Sequence, residues 1–308
     1  MTSTGVFGAG EKTDFVTAYD GEENNLQSSE MNSKIAKKVS NDLKNEQNEQ
    51  LVENNLLTGE ETVINIPAVT TFSNSDGDTA ASFGNAESEI SAQSVYGKDN
   101  RTVISNTTSS PYYGIAYLNV TFTNNKIYRG TAFMISQNVM LTAGHNLYKS
   151  GYKVKSIVVY PGRSGDYIPQ KVTATKFYLD TKYTGTQPDW DYGIIVLNSN
   201  IGKTTGWFGL HATSDAKSIG IQKVTVTGYP SDLAGRKMWR DVGTVSSVTS
   251  NRFKHNADTY KGNSGSPSYA YSSTYGYQVY GIHTNGGNYS RRITKSLFDW
   301  LKNNGFIR

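Results

Sequence analysis

From about Thr102 onward the chain is a succession of short runs in which apolar and β-branched positions alternate or cluster. They are YGIAYLNVTF, GTAFMISQNVMLTA, YKVKSIVVYP, KVTATKFYL, YGIIVL, KVTVTGYP and YQVYGIHT. Val, Ile, Tyr and Thr dominate them, side chains that pack well on a pleated, half-buried surface. Clusters of Gly, Asn, Asp and Ser divide one run from the next. Many short strands with such turns predict an all-β barrel or sandwich. Near the end the period changes. Ile293, Leu297, Trp300 and Leu301 share one helical face, and Gly305 is placed to stop the helix.

The first 93 residues follow another pattern, rich in Asn, Ser, Glu and Gln. Ile35, Val39 and Leu43 recur at intervals of four, which predicts a helix from about Ser33 to Asn54. The rest of this segment is too polar to order by itself. The chain therefore divides into residues 1–93 and residues 94–308. It shows no internal repeat and no low-complexity tract.

Charge sharpens this division. Residues 1–93 hold 5 Lys against 5 Asp and 11 Glu, a net −11, and residues 94–308 hold 25 Lys and Arg against 10 Asp, a net +15. An acidic segment that covers a basic one fits the split. No run of apolar residues is long enough for a membrane span. The opening MTSTGVFGAGEKTDF has no apolar core of a secretory signal, so such a signal is absent or removed. The chain has no cysteine, which excludes disulfides, thiolate zinc sites and cysteine nucleophiles. The four histidines are widely separated and no carboxylates have calcium-loop spacing, so no metal or other cofactor is expected.

Residues 94–308 contain no glutamate, although aspartate is present ten times. At an average abundance, roughly a dozen would be expected. Drift in a β-rich domain would depress Asp as well, since Asp is also a poor strand former. The selective loss fits a protease that cuts after Glu and has shed its own targets.

A serine nucleophile needs a base, and the base needs an orienting carboxylate. LTAGHN places His145 just after an apolar run, QPDWDYGIIVL places Asp191 just before one, and GNSGSP places Ser264 in a glycine-bounded turn. The order His, Asp, Ser is that of the two-barrel serine proteases. Each element alone has a structural reading, and a Gly/Ser/Asn/Pro cluster by itself is usually a turn. Asp189 is the rival for the carboxylate, and the D-Y-G-x-I pattern favours Asp191.

TAGH, DYGIIVL, VTGYP and GNSGSP together resemble the chymotrypsin-like glutamyl endopeptidases of Gram-positive bacteria, the Bacillus and staphylococcal enzymes. SVYGKDNRTVISNTTSSPY resembles the start of a mature Bacillus-type enzyme. The resemblance covers residues 94–308 and leaves residues 1–93 where that family has its propeptide. It implies two six-stranded antiparallel Greek-key β-barrels with a C-terminal helix, and a triad in the cleft between the barrels. It implies a secreted serine endopeptidase, monomeric, made as a zymogen and acting on protein and peptide substrates after Glu, with Asp weaker. An activating protease and the chain's own propeptide would be its partners, with no nucleic acid and no membrane.

By the same resemblance Ser264 attacks the peptide carbonyl, His145 moves the proton, and Asp191 fixes the imidazole. The N–H groups of Gly262 and Ser264 form the oxyanion hole. Thr259 and His283 match the residues that contact the substrate carboxylate, and Ser94 is the expected mature N-terminus, whose amine adds positive charge there. His211 and His255 match no motif and read as structural or surface residues. The chain departs from the family in two places. Asn146 stands where the Bacillus-type enzymes often have Cys. Asn263 stands where trypsin-like zymogens have the Asp that pairs with the new N-terminus. Cleavage after Gln93 is not cleavage after Glu, so either another protease acts or trimming follows a cut at Glu87 or Glu89. Two other readings remain: a protease of narrow or different specificity resembling the exfoliative toxins, and a basic β-domain that binds polyanions.

Overall fold

The computed structural model describes residues 18–20, 50–65, 95, 97–213, 219–233, 236–284 and 287–308. Ser94 and the Ile35, Val39 and Leu43 positions lie outside them. Strands β1 (Ala18–Asp20), β2 (Gln50–Asn55), β3 (Glu61–Asn65) and β4 (Thr102–Val103) precede two barrels.

The first barrel comprises β5 (Ile115–Phe122), β6 (Ile127–Met134), β7 (Val139–Thr142), β8 (Val154–Pro161), β9 (Val172–Asp180) and β10 (Gly193–Leu197). They run in the order β10-β7-β6-β5-β8-β9, and pairing of β10 with β9 closes the ring. β11 (Gly209–Ala212) leads to the second barrel. This contains β12 (Lys223–Gly228), β13 (Trp239–Val248), β14 (Arg252–His255), β15 (Pro267–Ser272), β16 (Gly276–His283) and β17 (Tyr289–Arg292). Their order is β16-β15-β12-β13-β14-β17, closed by β16 on β17. The fold is thus two closed six-stranded antiparallel barrels, as the family resemblance implies, where the alternating runs alone predict a barrel or a sandwich. Closure leaves few open edges.

Inward positions of the first barrel, among them Leu118, Phe122, Met140 and Ile195, form one buried cluster. A second cluster joins the barrels, running from Phe133 and Leu141 through Phe208 and Tyr269 to the C-terminal helix. That helix is Lys295–Asn303, begun by Thr294, whose side chain accepts from the Leu297 N–H. Leu297, Trp300 and Leu301 are buried on its inner face. Gly305 follows in the left-handed region, φ 74°, where a residue without Cβ carries no strain.

The acidic segment differs from its expected form. Gln50 to Asn54, placed at the end of a helix by the spacing of four, belong to strand β2. β2 and β3 form an antiparallel hairpin, and β2 adds to the edge of β9. Tertiary pairing overrides local propensity here: Leu51 is fully buried among first-barrel and C-terminal-helix residues.

Candidate active site

His145 lies in a short helical turn, Gly144–Leu147, immediately after β7. Asp191 follows a 3-10 turn, Pro188–Trp190, just before β10. Pairing of β7 with β10, with Thr142 opposite Gly193, brings the two turns together. A Cβ on Gly144 would sit within 3.2 Å of Asp191 Oδ1 and the Tyr192 backbone, so glycine permits the approach. The buried Asp191 carboxylate accepts the His145 backbone N–H at 2.8 Å. Its two oxygens lie 2.8 and 3.1 Å from His145 Nδ1. An ionised carboxylate only accepts, so Nδ1 carries the proton and Nε2 is left as the basic nitrogen. Burial first, then the charge of the Asp191 carboxylate, push the Tyr183 pKa up. Asp189 is held elsewhere: Arg252 Nε donates to its carboxylate at 2.6 Å, and Arg291 Nε to its carbonyl.

Ser264 comes from the second barrel, in the loop that precedes β15. Gly262, φ 99°, and Gly265, φ 88°, flank it in conformations that favour glycine. A Cβ on Gly262 would collide with the Tyr229 carbonyl, and one on Gly265 with the Thr131 carbonyl. The loop is tied internally by Asn263 N–H to Tyr260 O (2.9 Å) and Ser266 N–H to Asn263 O (2.8 Å). Among the described residues neither the Gly262 nor the Ser264 N–H has an acceptor. The first barrel grips this loop directly. The Ser264 carbonyl accepts from Thr131 N–H and from Asn146 Nδ2, each at 2.9 Å, and Thr131 Oγ1 donates to Gly262 O at 2.8 Å. Asn146, where the Bacillus-type enzymes often have Cys, thus couples the His145 turn to the serine loop. It also donates to Thr142 Oγ1 at 2.9 Å.

His283 ends β16 and is tied to the same loop. Gly265 N–H donates to His283 O and His283 N–H to Ser266 O, both at 2.8 Å. Its side chain is buried, 4 % exposed, with Nδ1 3.3 Å from His255 Nε2. Burial first, then the neighbouring His255 and His145, push the His283 pKa well below 6.5. Burial alone pushes His255 down to about 3. His255 Nδ1 has no partner among the described residues. Buried orphan N–H groups are rarer than unsatisfied acceptors. His255 therefore holds its proton on Nε2 and donates it to His283 Nδ1, and His283 Nε2 carries an N–H of its own. His255, read from the sequence as structural or surface, is buried against His283. A signal was present: in RFKH the period of two that turns Phe253 inward turns His255 inward as well. His211 stacks on Tyr280 with ring centroids 4.3 Å apart.

Thr259 is buried and its hydroxyl donates to Asn288 Oδ1 at 2.5 Å, while the Asn288 carbonyl accepts from the His255 N–H at 3.0 Å. Asn288 Nδ2 passes the chain on to Ala257 O at 2.7 Å. Asn288, φ 60°, was not recognised in the sequence. Nothing is described for Ser94, but residues close behind it reach this region. Asn100 N–H donates to the carboxylate of Asp258, the residue before Thr259, at 2.9 Å. No three His, Asp or Glu side chains among the described residues form a metal-ligand group.

Two curated relatives share a third of this chain's aligned residues. A Bacillus subtilis protein named extracellular metalloprotease is 35% identical over 68% of this chain and 69% of its own. A glutamyl endopeptidase of Bacillus licheniformis is 34% identical over 71% of each chain. A solved Glu endopeptidase superposes with a TM-score of 0.59 and 28% identity, over 68% of this chain and 98% of that one. The Trypsin family model matches residues 104–298, and with the two-barrel fold this places the chain in the trypsin family of serine endopeptidases.

Proposed function

We propose that residues 94–308 are a secreted endopeptidase that cuts on the C-terminal side of Glu, released from a zymogen by loss of residues 1–93. Ser264 Oγ attacks the scissile carbonyl carbon while His145 Nε2 takes its proton, and Asp191 stabilises the imidazolium so formed. The oxyanion is met by the N–H groups of Gly262 and Ser264, which have no other acceptor among the described residues. The tetrahedral species collapses as His145 returns the proton to the leaving amine. Water, deprotonated by the same imidazole, then hydrolyses the acyl-enzyme.

The observation that carries Glu specificity is His283, a buried donor fixed by two backbone hydrogen bonds to the serine loop and backed by His255. A neutral imidazole with a free N–H suits a carboxylate, and an arriving negative charge would favour its protonation. Thr259 gives its proton to Asn288, so its hydroxyl must rotate to serve the pocket. The tie between Asn100 and Asp258 supports a mature N-terminus near the same place. Secretion is supported by the name of the Bacillus subtilis relative, and among the described residues no helix is long and apolar enough to cross a membrane.

Matched peptides differing only in Glu, Asp, Gln or Lys before the cut bond test the reading, with the N-terminus checked by mass spectrometry. Strong preference for Glu, lost in His283→Ala with general turnover retained, is the expected result. Equal cleavage of the Glu and Gln peptides would refute it.

A further inference from the structure

We propose that the β2–β3 hairpin, residues 50–65, stays bound to the first barrel after the chain is cut, as a second, non-covalently held polypeptide. This rests on the reading of residues 1–93 as a removed segment.

The barrel offers the hairpin a vacant edge. β8 pairs with β9 only at Val172 and Thr173, while β10 covers the opposite edge of β9 as far as Leu179. From Lys176 to Asp180 one edge of β9 is therefore unmatched by any barrel strand. Exposed strand edges of this kind are templates for another strand. β2 fills it in antiparallel register, with Leu51 opposite Asp180 and Asn55 opposite Lys176. Two further backbone bonds bracket the ladder, Thr181 N–H to Gln50 O and Leu56 N–H to Thr175 O, both 2.8 Å.

Side chains give the pairing specificity. Glu53 Oε1 lies 2.8 Å from Lys176 Nζ, and Oε2 accepts from the Tyr178 hydroxyl at 2.6 Å. Both contacts span more than 120 residues of chain. Leu51 is fully buried in a cluster that includes Tyr178 and Trp300. Neither the ladder, the carboxylate nor the leucine depends on an unbroken chain between residues 66 and 93. The partner surface is thus the outer half of β9, and its ligand is an acidic β-hairpin. The dock lies close to the catalytic carboxylate: Asp180, opposite Leu51, accepts the Tyr192 hydroxyl at 2.7 Å, and Tyr192 follows Asp191.

The test uses the full chain carrying Ser264→Ala, with sites for an unrelated sequence-specific protease inserted after residues 30 and 80. The first site separates the hairpin from β1, which pairs with β11 independently. After complete cutting, native gel filtration and mass spectrometry of the barrel peak are read. Co-elution of the 31–80 fragment at one per barrel, with at least tenfold loss in Glu53→Lys and recovery in Glu53→Lys/Lys176→Glu, is expected. Recovery in the double variant shows that the single change did not act by unfolding. Elution of the fragment apart from folded barrel, or retention indifferent to Glu53→Lys and Leu51→Asp, overturns the proposal. The inserted sites act independently of natural processing. If residues 1–93 prove never to be removed, the zymogen reading fails while this readout still decides the dock.

Discussion

Replacing Arg101 by Lys tests how the segment just behind the expected N-terminus is held. The guanidinium is 2 % exposed and bridges two carboxylates. Nε and Nη2 reach Asp99 at 3.0 and 2.8 Å, and Nη1 and Nη2 reach Asp232 at 2.9 and 2.6 Å. Asp232 follows Ser231, whose N–H bonds Lys261 O, one residue before Gly262. Lysine keeps the charge, but an ammonium cannot reproduce two planar forks. Each charge-assisted bond contributes about 1.5–3 kcal/mol when shielded. Asp99 is 41 % and Asp232 24 % exposed, so water replaces part of what is lost. The net loss is then about 2 kcal/mol, and at about 2–4 °C per kcal/mol the melting temperature falls by roughly 4–8 °C. pH gives a second reading. Hydrogen bonding from Arg101, against a smaller opposing effect of burial, lowers the Asp99 pKa below its ordinary 3.8. A depressed carboxylate contributes stability that is full above its unfolded pKa and is lost as pH falls through the folded one. The gap between wild type and Arg101→Lys should therefore be constant above about pH 5 and narrow below the ordinary aspartate pKa. Thermal unfolding by circular dichroism from pH 7 to pH 3 measures both effects. A melting temperature within 1 °C of wild type at pH 7, or a gap that widens in acid, would refute the reasoning.

Gly262→Ala should lower kcat about 100- to 1000-fold with a smaller change in KM, because its Cβ meets the Tyr229 carbonyl and turns an oxyanion donor away; steady-state kinetics with an unchanged kcat would remove Gly262 from the hole. Burial pushes His255 to about 3 and His211, also facing Arg292, to about 4. Histidines depressed below 6.5 give stability that is full above that value and lost as pH falls, so denaturant unfolding should show stability dropping from about pH 7 to pH 4. His255→Phe should flatten that slope, and an equal slope would contradict the burial. Active protein added to the Ser264→Ala chain should nick the hairpin after Glu60 or Glu61, which are exposed at its turn, before Glu53, which is paired on β9. Mass spectrometry of early products decides this, and first cleavage at Glu53 would count against the docked hairpin.

What the sequence discloses depends on whether a signal is local or comes from across the fold. The barrel strands announce themselves because each carries its own alternation and its own turns, and the C-terminal helix because Leu297, Trp300 and Leu301 share one face. The positions of His145, Asp191 and Ser264 were legible for the same reason, since a strand end or a glycine-bounded turn is written in neighbouring residues. Choosing Asp191 over Asp189 needed a family pattern in the sequence; in the structure Arg252, 63 residues from Asp189, takes that carboxylate. The hairpin was misread because nothing near Gln50 encodes β9. Its strand character comes from an edge more than 120 residues away, and an isolated two-stranded hairpin is marginal in water. His255 was missed although its alternation with Phe253 was visible, because an inward histidine tells nothing until its partner is known. That partner, His283, sits on β16, while β14 reaches it only through β17. The same reasoning bears on Asn146. It stands where the Bacillus-type enzymes often have Cys, and its amide donates to the serine loop of the other barrel. A side chain with two amide hydrogens can hold Thr142 and the Ser264 carbonyl together where a thiol could not, so Asn146 ties the turn that carries His145 to the loop that carries Ser264.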